Sequence, residues 1–166
     1  MPLIEAAVDR TMAALCAEAV GAMETLHAMT LEYLKTRQQF GVAIGRFQVL
    51  QHRAVDMLIN LEEARSMALL AAGKVDSDDV FERRRAVTAA KALIGQAGRY
   101  IGQEAIQLHG GMGMTDELPV GAYVKRLAAI DVLFGDAAYQ RAQFAGLRED
   151  ATPAGFEQPR KAWKQI

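Results

Sequence analysis

Four stretches of the chain carry apolar residues at intervals of three and four positions, the spacing of one face of an α-helix. The pattern predicts helices over residues 3–36, 47–73, 80–109 and 120–147. Short segments with glycine, proline or charged residues separate them, and no stretch shows the alternation of a strand. Four long helices with short connections indicate an all-α, up-down-up-down four-helix bundle over residues 1–148.

The apolar faces of these helices give the expected core. Helices of roughly 30 residues are not stable alone in water, so their faces must pack against one another. Residues 149–166 contain two prolines and scattered charges without a period, and they are expected to form a flexible tail. The residues expected inside the bundle include Ile4, Val8, Met23, Leu26, Leu58, Leu69, Ile94, Ile101, Leu127, Ile130, Leu133 and Phe144.

A glycine-rich corner separates the third and fourth predicted helices. Gly110 and Gly111 can end a helix because glycine accepts the left-handed conformation that other residues resist. Thr115 or Asp116 can cap the next helix, and Pro119 is tolerated in its first turn. Such a corner presents bare amides to a phosphate or sugar, and it is equally the connection of a plain helix-turn-helix.

Composition narrows the classes of function. Hydrophobic residues make up 51% and charged residues 23%, as in ordinary soluble globular proteins. The net charge of −1 gives no reason to expect nucleic-acid binding. No apolar run approaches the roughly 18 residues of a membrane span, and the start lacks the basic region of an export signal. The single cysteine, Cys16, is expected to be a buried, inert thiol, which fits a reducing cytoplasm.

A di-metal centre is the first chemistry to weigh, because four-helix bundles host it. That centre needs two Glu-x-x-His pairs and two further carboxylates facing inward. The sequence offers one pair, Glu24 with His27, whereas His52 and His109 have no glutamate three positions before them. We predict no metal site and expect His27 to be an ordinary helix residue.

Two motifs point to a family. QLHGGMGMTDELP (residues 107–119) resembles the flavin-contacting signature of acyl-CoA dehydrogenases, and TRQQFGVAIGRFQVLQHR (residues 36–53) resembles a second signature of that family. Both occur in the family's order and at roughly its spacing, and the resemblance covers about residues 5–147. It implies the family's C-terminal all-helical domain, without the N-terminal helical domain and small β-barrel domain of full-length members.

The resemblance also implies a cofactor, FAD, and the residues that contact it. Arg37 and Phe40 match the residues that hold the flavin diphosphate and adenosine, and Gln48 matches a third contact. Gln107, Gly110 and Gly111 match the segment that reaches the same cofactor from a second subunit, so an oligomer is expected. From the residues alone, an arginine at a helix end is equally explained by the helix dipole.

The positions that match the family's substrate side differ from its pattern. Members commonly carry an aspartate and, three positions on, an arginine. Here Asp9 is retained and Met12 replaces the arginine. Phe134 stands where many members carry the catalytic glutamate, and Thr11 stands where a minority carry it. Glu117 belongs to the acidic turn before the fourth helix and is expected to be a cap or dipole partner. We therefore expect no catalytic residue in this chain.

The family removes the α-proton of an acyl-CoA thioester and transfers the β-hydride to FAD, a reaction of lipid metabolism. The resemblance implies that this chain contacts FAD and builds the oligomer, and that alone it is inactive. Two alternatives remain: a non-catalytic subunit of a heteromeric dehydrogenase, whose partner supplies the base, and a cofactor-free helical interaction module.

Overall fold

The computed structural model describes residues 2–147, and the expected tail at residues 149–166 lies outside that range. The predicted all-α bundle is confirmed. None of the helices in this range is long and apolar enough to cross a membrane. The helices are α1 (Pro2–Thr36), α2 (Gln48–Lys74), α3 (Val80–His109), α4 (Val120–Val132) and α5 (Ala137–Gly146).

The third predicted helix agrees with the structure at both ends. The Asp79 side chain caps α3 by accepting hydrogen bonds from the amides of Phe81 and Glu82, and Gly110 ends it with φ of 59°. The starts and ends of α1 and α2 lie within one residue of the prediction.

The prediction of a single helix over residues 120–147 is wrong, because this range contains two helices. Phe134 and Gly135 have φ of 59° and 96°, which no α-helix can contain. Asp136 then starts α5, its side chain accepting a hydrogen bond from the amide of Tyr139. The glycine followed by a capping aspartate was a readable stop-and-start signal.

The start of α4 also differs from the prediction. Neither Thr115 nor Asp116 caps this helix, since Pro119 is its N-cap residue and no side chain bonds to its first turn. The preceding residues, Gly110–Met114, form a 3-10 turn instead.

A short β-hairpin that the sequence pattern did not predict joins α1 to α2. Strand β1 (Gln38–Gln39) pairs antiparallel with β2 (Val42–Ala43). The two turn residues, Phe40 and Gly41, both have positive φ, 55° and 80°, as in the type I′ turns that close two-residue hairpins. Strands of two residues are too short to show an alternating pattern.

α3 is the central helix, and it packs against α1, α2, α4 and α5. Small residues let α4 approach it closely. A Cβ added at Gly98 would lie 3.4 Å from the Leu127 side chain, and one at Gly102 would lie 3.5 Å from Val124. The expected core residues on α3 are buried: Val87, Ala90, Ile94, Ala97, Ile101, Ala105 and Leu108.

Several residues expected in the core are instead exposed. The described chain leaves these side chains uncovered in part or almost completely, most clearly on the outer side of α2, where Leu69 is 69% exposed. The period of a helix identifies an apolar face but does not say what covers it. The exposed residues are Ile4, Leu58, Leu69, Leu133 and Phe144.

Cys16, expected to be a buried thiol, and His27, expected to be an ordinary helix residue, are both buried. A ring nitrogen of His27 lies 3.3 Å from the carbonyl oxygen of Ala54. Cys16 is fully enclosed, and this burial raises the pKa of its thiol to about 12. Glu24, which precedes His27 in the Glu-x-x-His pair, forms an ion pair with Arg65.

A buried ion pair ties the start of α1 to the start of α3. Arg83 Nε donates to Asp9 Oδ2 at 3.0 Å, and Arg83 Nη1 donates to the Ser77 carbonyl at 3.1 Å. Both side chains are almost completely enclosed, so each charge depends on the other for its partner.

Replacing Asp9 tests that ion pair. Asp9→Ala leaves the Arg83 charge buried without its partner, and it should lower the free energy of unfolding by about 3–5 kcal/mol. The control is Asp76→Ala, which breaks the exposed Arg10–Asp76 pair and should cost less than about 1 kcal/mol. Urea unfolding followed by circular dichroism measures both. Equal losses in the two variants would contradict the role given to Asp9.

Candidate functional site

The structure places the predicted cofactor residues at one end of the bundle. In the up-down-up-down order, α1 and α3 finish at the end where α2 and α4 begin. The rings of Tyr33, near the end of α1, and His109, at the end of α3, lie 4.5 Å apart between centroids. This contact joins the two corners that carry the predicted residues: Arg37, Phe40, Gln48, Gln107, Gly110 and Gly111.

Arg37 lies where α1 gives way to the hairpin. Its amide donates to the Tyr33 carbonyl at 2.8 Å, and its carbonyl accepts from the Ile44 amide at 2.8 Å. These two bonds fix the backbone of Arg37, while its side chain is exposed. Within residues 2–147 no carboxylate forms an ion pair with its guanidinium.

Phe40 is presented to solvent at the tip of the hairpin. Its side chain is 89% exposed and meets Phe47 edge-on, with 6.1 Å between ring centroids. Its positive φ is uncommon for a residue other than glycine, and such backbone strain is concentrated at binding sites. An exposed aromatic ring held in a strained turn is typical of a contact surface.

Gly45 sets how closely the hairpin returns to α1. A Cβ at this position would lie 2.8 Å from the Leu34 carbonyl oxygen, so only glycine fits. Gln51 Nε2 donates to the Gly45 carbonyl at 2.8 Å and anchors the same segment to α2. Helix α2 begins after this segment with Gln48, whose side chain is exposed. Its N-cap residue, Phe47, offers no side-chain hydrogen bond.

The second corner has an open side and a closed side. Gly110 and Gly111 face open space, since a Cβ on either would meet no heavy atom within 4 Å. Gly113 is buried, and its Cβ would lie 2.7 Å from the Ile106 carbonyl oxygen. The turn therefore folds back on α3 through Gly113 and leaves Gly110 and Gly111 bare, with the exposed Gln107 one turn before them.

His109 fixes this corner to the rest of the bundle. Its ring is buried, and Nδ1 lies 2.8 Å from the Ala105 carbonyl. With one ring nitrogen bonded and the ring face against Tyr33, His109 serves to position the turn. This packing partner lies 76 positions away in the chain, so no local pattern in the sequence indicates the positioning role of His109.

The positions that match the family's substrate side lie away from these two corners, on the first half of α1 and beside the middle of α3. Thr11 is exposed on α1, and its hydroxyl donates to the Ala7 carbonyl at 2.8 Å. Phe134 lies in the corner between α4 and α5, 45% exposed. Gln140 brings the two segments together, its Nε2 lying 2.7 Å from the Phe134 carbonyl and 3.6 Å from Met12 Sδ.

Neither of these two positions carries a group that can accept a proton from a weak carbon acid. Phe134 has no basic atom, and the Thr11 hydroxyl is already used in its own helix. The Asp9 carboxylate is held by Arg83. Among the described residues, no cluster of three or more His, Cys, Asp or Glu side chains is placed to hold a metal ion.

Residues 1–146 match the C-terminal domain of acyl-CoA dehydrogenases. The chain belongs to this family. It is 42% identical over 99 residues to the L-prolyl-[peptidyl-carrier protein] dehydrogenase of a Serratia species, covering 60% of this chain and 25% of that protein.

Solved structures agree with this assignment. The structure of PigA with FAD and proline superposes with a TM-score of 0.74 at 33% identity, covering 81% of this chain and 35% of PigA. The ChsE4–ChsE5 complex from Mycobacterium tuberculosis superposes with a TM-score of 0.77 at 27% identity, covering 82% of this chain and 37% of the matched chain. The chain thus spans between a quarter and two fifths of the length of these acyl-CoA dehydrogenase relatives.

Proposed function

We propose that this chain is the flavin-contacting and oligomer-building domain of an acyl-CoA dehydrogenase assembly, and that it supplies no catalytic base. The observation that carries the proposal is that Arg37 and Phe40, three positions apart, are both exposed at the same end of the bundle as the bare Gly110–Gly111 turn. Family membership makes a flavin the ligand to test against this surface.

The hairpin corner, which comprises Arg37, Phe40 and Gln48, fits the diphosphate and adenosine part of FAD. Arg37 presents a planar donor fork with no carboxylate partner within residues 2–147, which suits a diphosphate. The first turn of α2 starts at Gln48 without a side-chain cap, so its amides also favour an anion. Phe40 offers a flat apolar surface to the adenosine. When bound, FAD supplies the hydride acceptor of the family's reaction.

The glycine corner, which comprises Gln107, Gly110 and Gly111, suits contact with the flavin held by a second copy of the chain or by a related subunit. Gly110 and Gly111 leave room for a ligand to approach the main chain, and Gln107 adds an exposed amide beside them. The outer face of α2 exposes Val55, Ile59 and Leu69, an apolar surface suited to a partner helix. We infer that the flavin site is completed in an oligomer, with the hairpin corner of one subunit and the glycine corner of another.

Phe134 favours the second candidate, a non-catalytic subunit of a heteromeric dehydrogenase. A positioned carboxylate contributes about 10²–10⁴-fold to a proton abstraction, and Phe134 and Thr11 provide none. ChsE4–ChsE5, to which this chain is similar, is a complex of two proteins. In such an assembly the substrate, an acyl-CoA thioester, would meet its base on the partner.

A cofactor-free interaction module is the remaining alternative. It accounts for the exposed apolar face of α2 but leaves the exposed Arg37 and the strained Phe40 without a role. A cytoplasmic location is also part of the proposal, and the buried Cys16, which forms no disulfide, is consistent with it.

Titration with FAD tests the hairpin corner. The chain alone should bind FAD weakly, because a few contacts must offset the ordering of a long flexible cofactor. Arg37→Ala should weaken that binding about 10- to 150-fold, since a charge-assisted hydrogen bond contributes about 1.5–3 kcal/mol. Arg10→Ala, an exposed arginine at the far end of the bundle, is the control and should change nothing. Flavin fluorescence gives the dissociation constants.

Submicromolar binding that survives Arg37→Ala would place the cofactor elsewhere on the chain. If neither the chain nor its assembly with partner domains binds FAD, the cofactor-free module replaces the proposed function.

Restoring a carboxylate at position 134 tests the absence of a base. In the flavin-loaded assembly that contains this domain, Phe134→Glu should raise the rate of acyl-CoA oxidation by about 10²-fold or more. Phe134→Gln introduces a side chain of the same size as glutamate but without a basic carboxylate, so it should not raise the rate. An artificial electron acceptor reports turnover in both. A parent that already turns over at about 1–10³ per second, with no gain from Phe134→Glu, would refute the claim.

A further inference from the structure

A buried lysine lies behind the corner that carries Phe134. Lys91, on α3, has no exposed surface, and it is among the largest side chains that the described core encloses completely. Its Nζ donates to the Asp131 carbonyl at 2.9 Å and to the Gly135 carbonyl at 3.2 Å. The first acceptor lies in the last turn of α4 and the second in the corner itself.

Packing alone does not account for this lysine. Enclosing an ammonium group costs several kcal/mol unless its hydrogen bonds are replaced, and burial accordingly lowers the pKa of Lys91. A methionine would fill similar space without that cost. What the lysine adds is a donor that reaches two main-chain carbonyls on either side of Phe134.

Two other buried side chains bond to the same corner. Gln140 Nε2 donates to the Phe134 carbonyl at 2.7 Å. Asp131 Oδ1 accepts from the Ala137 amide at 3.1 Å, and Asp131 Oδ2 accepts from Arg99 Nη2 at 2.7 Å. Side chains from α3, α4 and α5 thus bond to the main chain on both sides of residue 134 and at residue 134 itself.

Gly95 leaves the space that this arrangement needs. A Cβ at Gly95 would overlap Asp131 Oδ1 and would approach the Ala137 side chain to 3.2 Å. Gly95 lies one turn along α3 from Lys91, so the same stretch of the central helix supplies both the donor and the room for the acceptor.

The main chain at the corner requires support. Phe134 and Gly135 have φ of 59° and 96°, and a residue other than glycine in the left-handed region costs on the order of 1 kcal/mol or more. A corner without buried partners would relax by moving Phe134 out of this region. Gln140 bonds to the peptide group that follows Phe134, and Lys91 holds the carbonyls of Asp131 and Gly135, which lie before and after Phe134 in the chain.

We propose that Lys91 is a positioning residue that holds position 134 in its left-handed conformation and so fixes the direction in which that side chain is presented. Gln140 is its second support. The meaning of that direction for an acyl thioester rests on the proposed function, whereas the positioning itself does not.

The test uses the full chain without flavin or substrate, so its result is independent of the proposed function. Phenylalanines are replaced biosynthetically by 4-fluorophenylalanine, and Phe134→Leu assigns the ¹⁹F resonance of residue 134. Lys91→Met keeps the volume and removes the donor. In this variant the Phe134 resonance should move toward its position in the unfolded chain. The Ala137 amide should exchange at least about tenfold faster, because its acceptor residue, Asp131, loses the bond from Lys91 that holds its main chain.

Met57→Ala is the control, because Met57 is fully buried on α2, away from the corner. It should destabilise the bundle and leave the Phe134 resonance in place. An unchanged Phe134 resonance and Ala137 exchange rate in Lys91→Met would overturn the proposal, and so would an equal movement in Met57→Ala.

If Lys91→Met does not fold, Gln140→Met decides, because it removes the donor to the Phe134 carbonyl and leaves Lys91 in place. A displaced Phe134 resonance in that variant supports a corner held by side chains. A resonance that stays at its wild-type position overturns it.

Discussion

The close packing of the other helices on α3 is the constraint on which the structure depends. This helix carries alanine and glycine on the faces that meet its neighbours, and it contacts α1, α2, α4 and α5. At Gly98 and Gly102 a Cβ would already be in van der Waals contact with the side chains of α4, 3.4 Å from Leu127 and 3.5 Å from Val124. A residue larger than alanine at either position would push α4 outward and would move the corners at both of its ends.

The two ends of the bundle differ because α3 ends differently at each. At its C-terminal end, bare glycines and the adjoining hairpin leave main chain, Arg37 and Phe40 open to a ligand. At the other end, Asp9 and Arg83 neutralise each other. The α4–α5 corner lies between the two ends, beside Lys91 and Gly95 of α3, and it is bonded from behind by Lys91 and Gln140. The exposed groups at the C-terminal end of α3 suit the polar ligand proposed for them, whereas the α4–α5 corner presents the apolar side chain of Phe134.

Much of this architecture could be predicted from the sequence. The helical period predicted the bundle, and α3 was predicted at both ends because Asp79 and Gly110 are local signals. The candidate flavin residues came from two motifs, and their meeting at one end follows from the up-down-up-down order. Their contact with a cofactor stays a prediction.

The features that were missed have different physical causes. The role of Lys91 could not be read from its neighbours, because its acceptors are main-chain carbonyls 40 and 44 positions away. The break before α5 was overlooked because Phe134 carries no local signal for a positive φ, although Gly135 and Asp136 do. The exposed face of α2 was placed in the core because periodicity does not identify the partner that covers it.

We propose that the flavin site combines the hairpin corner of one subunit with the glycine corner of another. Mixing two defective variants tests it most directly. Arg37→Ala disables the first corner, and Gly111→Glu places a repelling charge in the open space of the second. If the chains are unfolded together and refolded, random pairing should restore roughly a quarter of the FAD sites, because each mixed dimer regains one intact site. Mixtures that bind no more FAD than the separate variants would show that each site lies within a single chain.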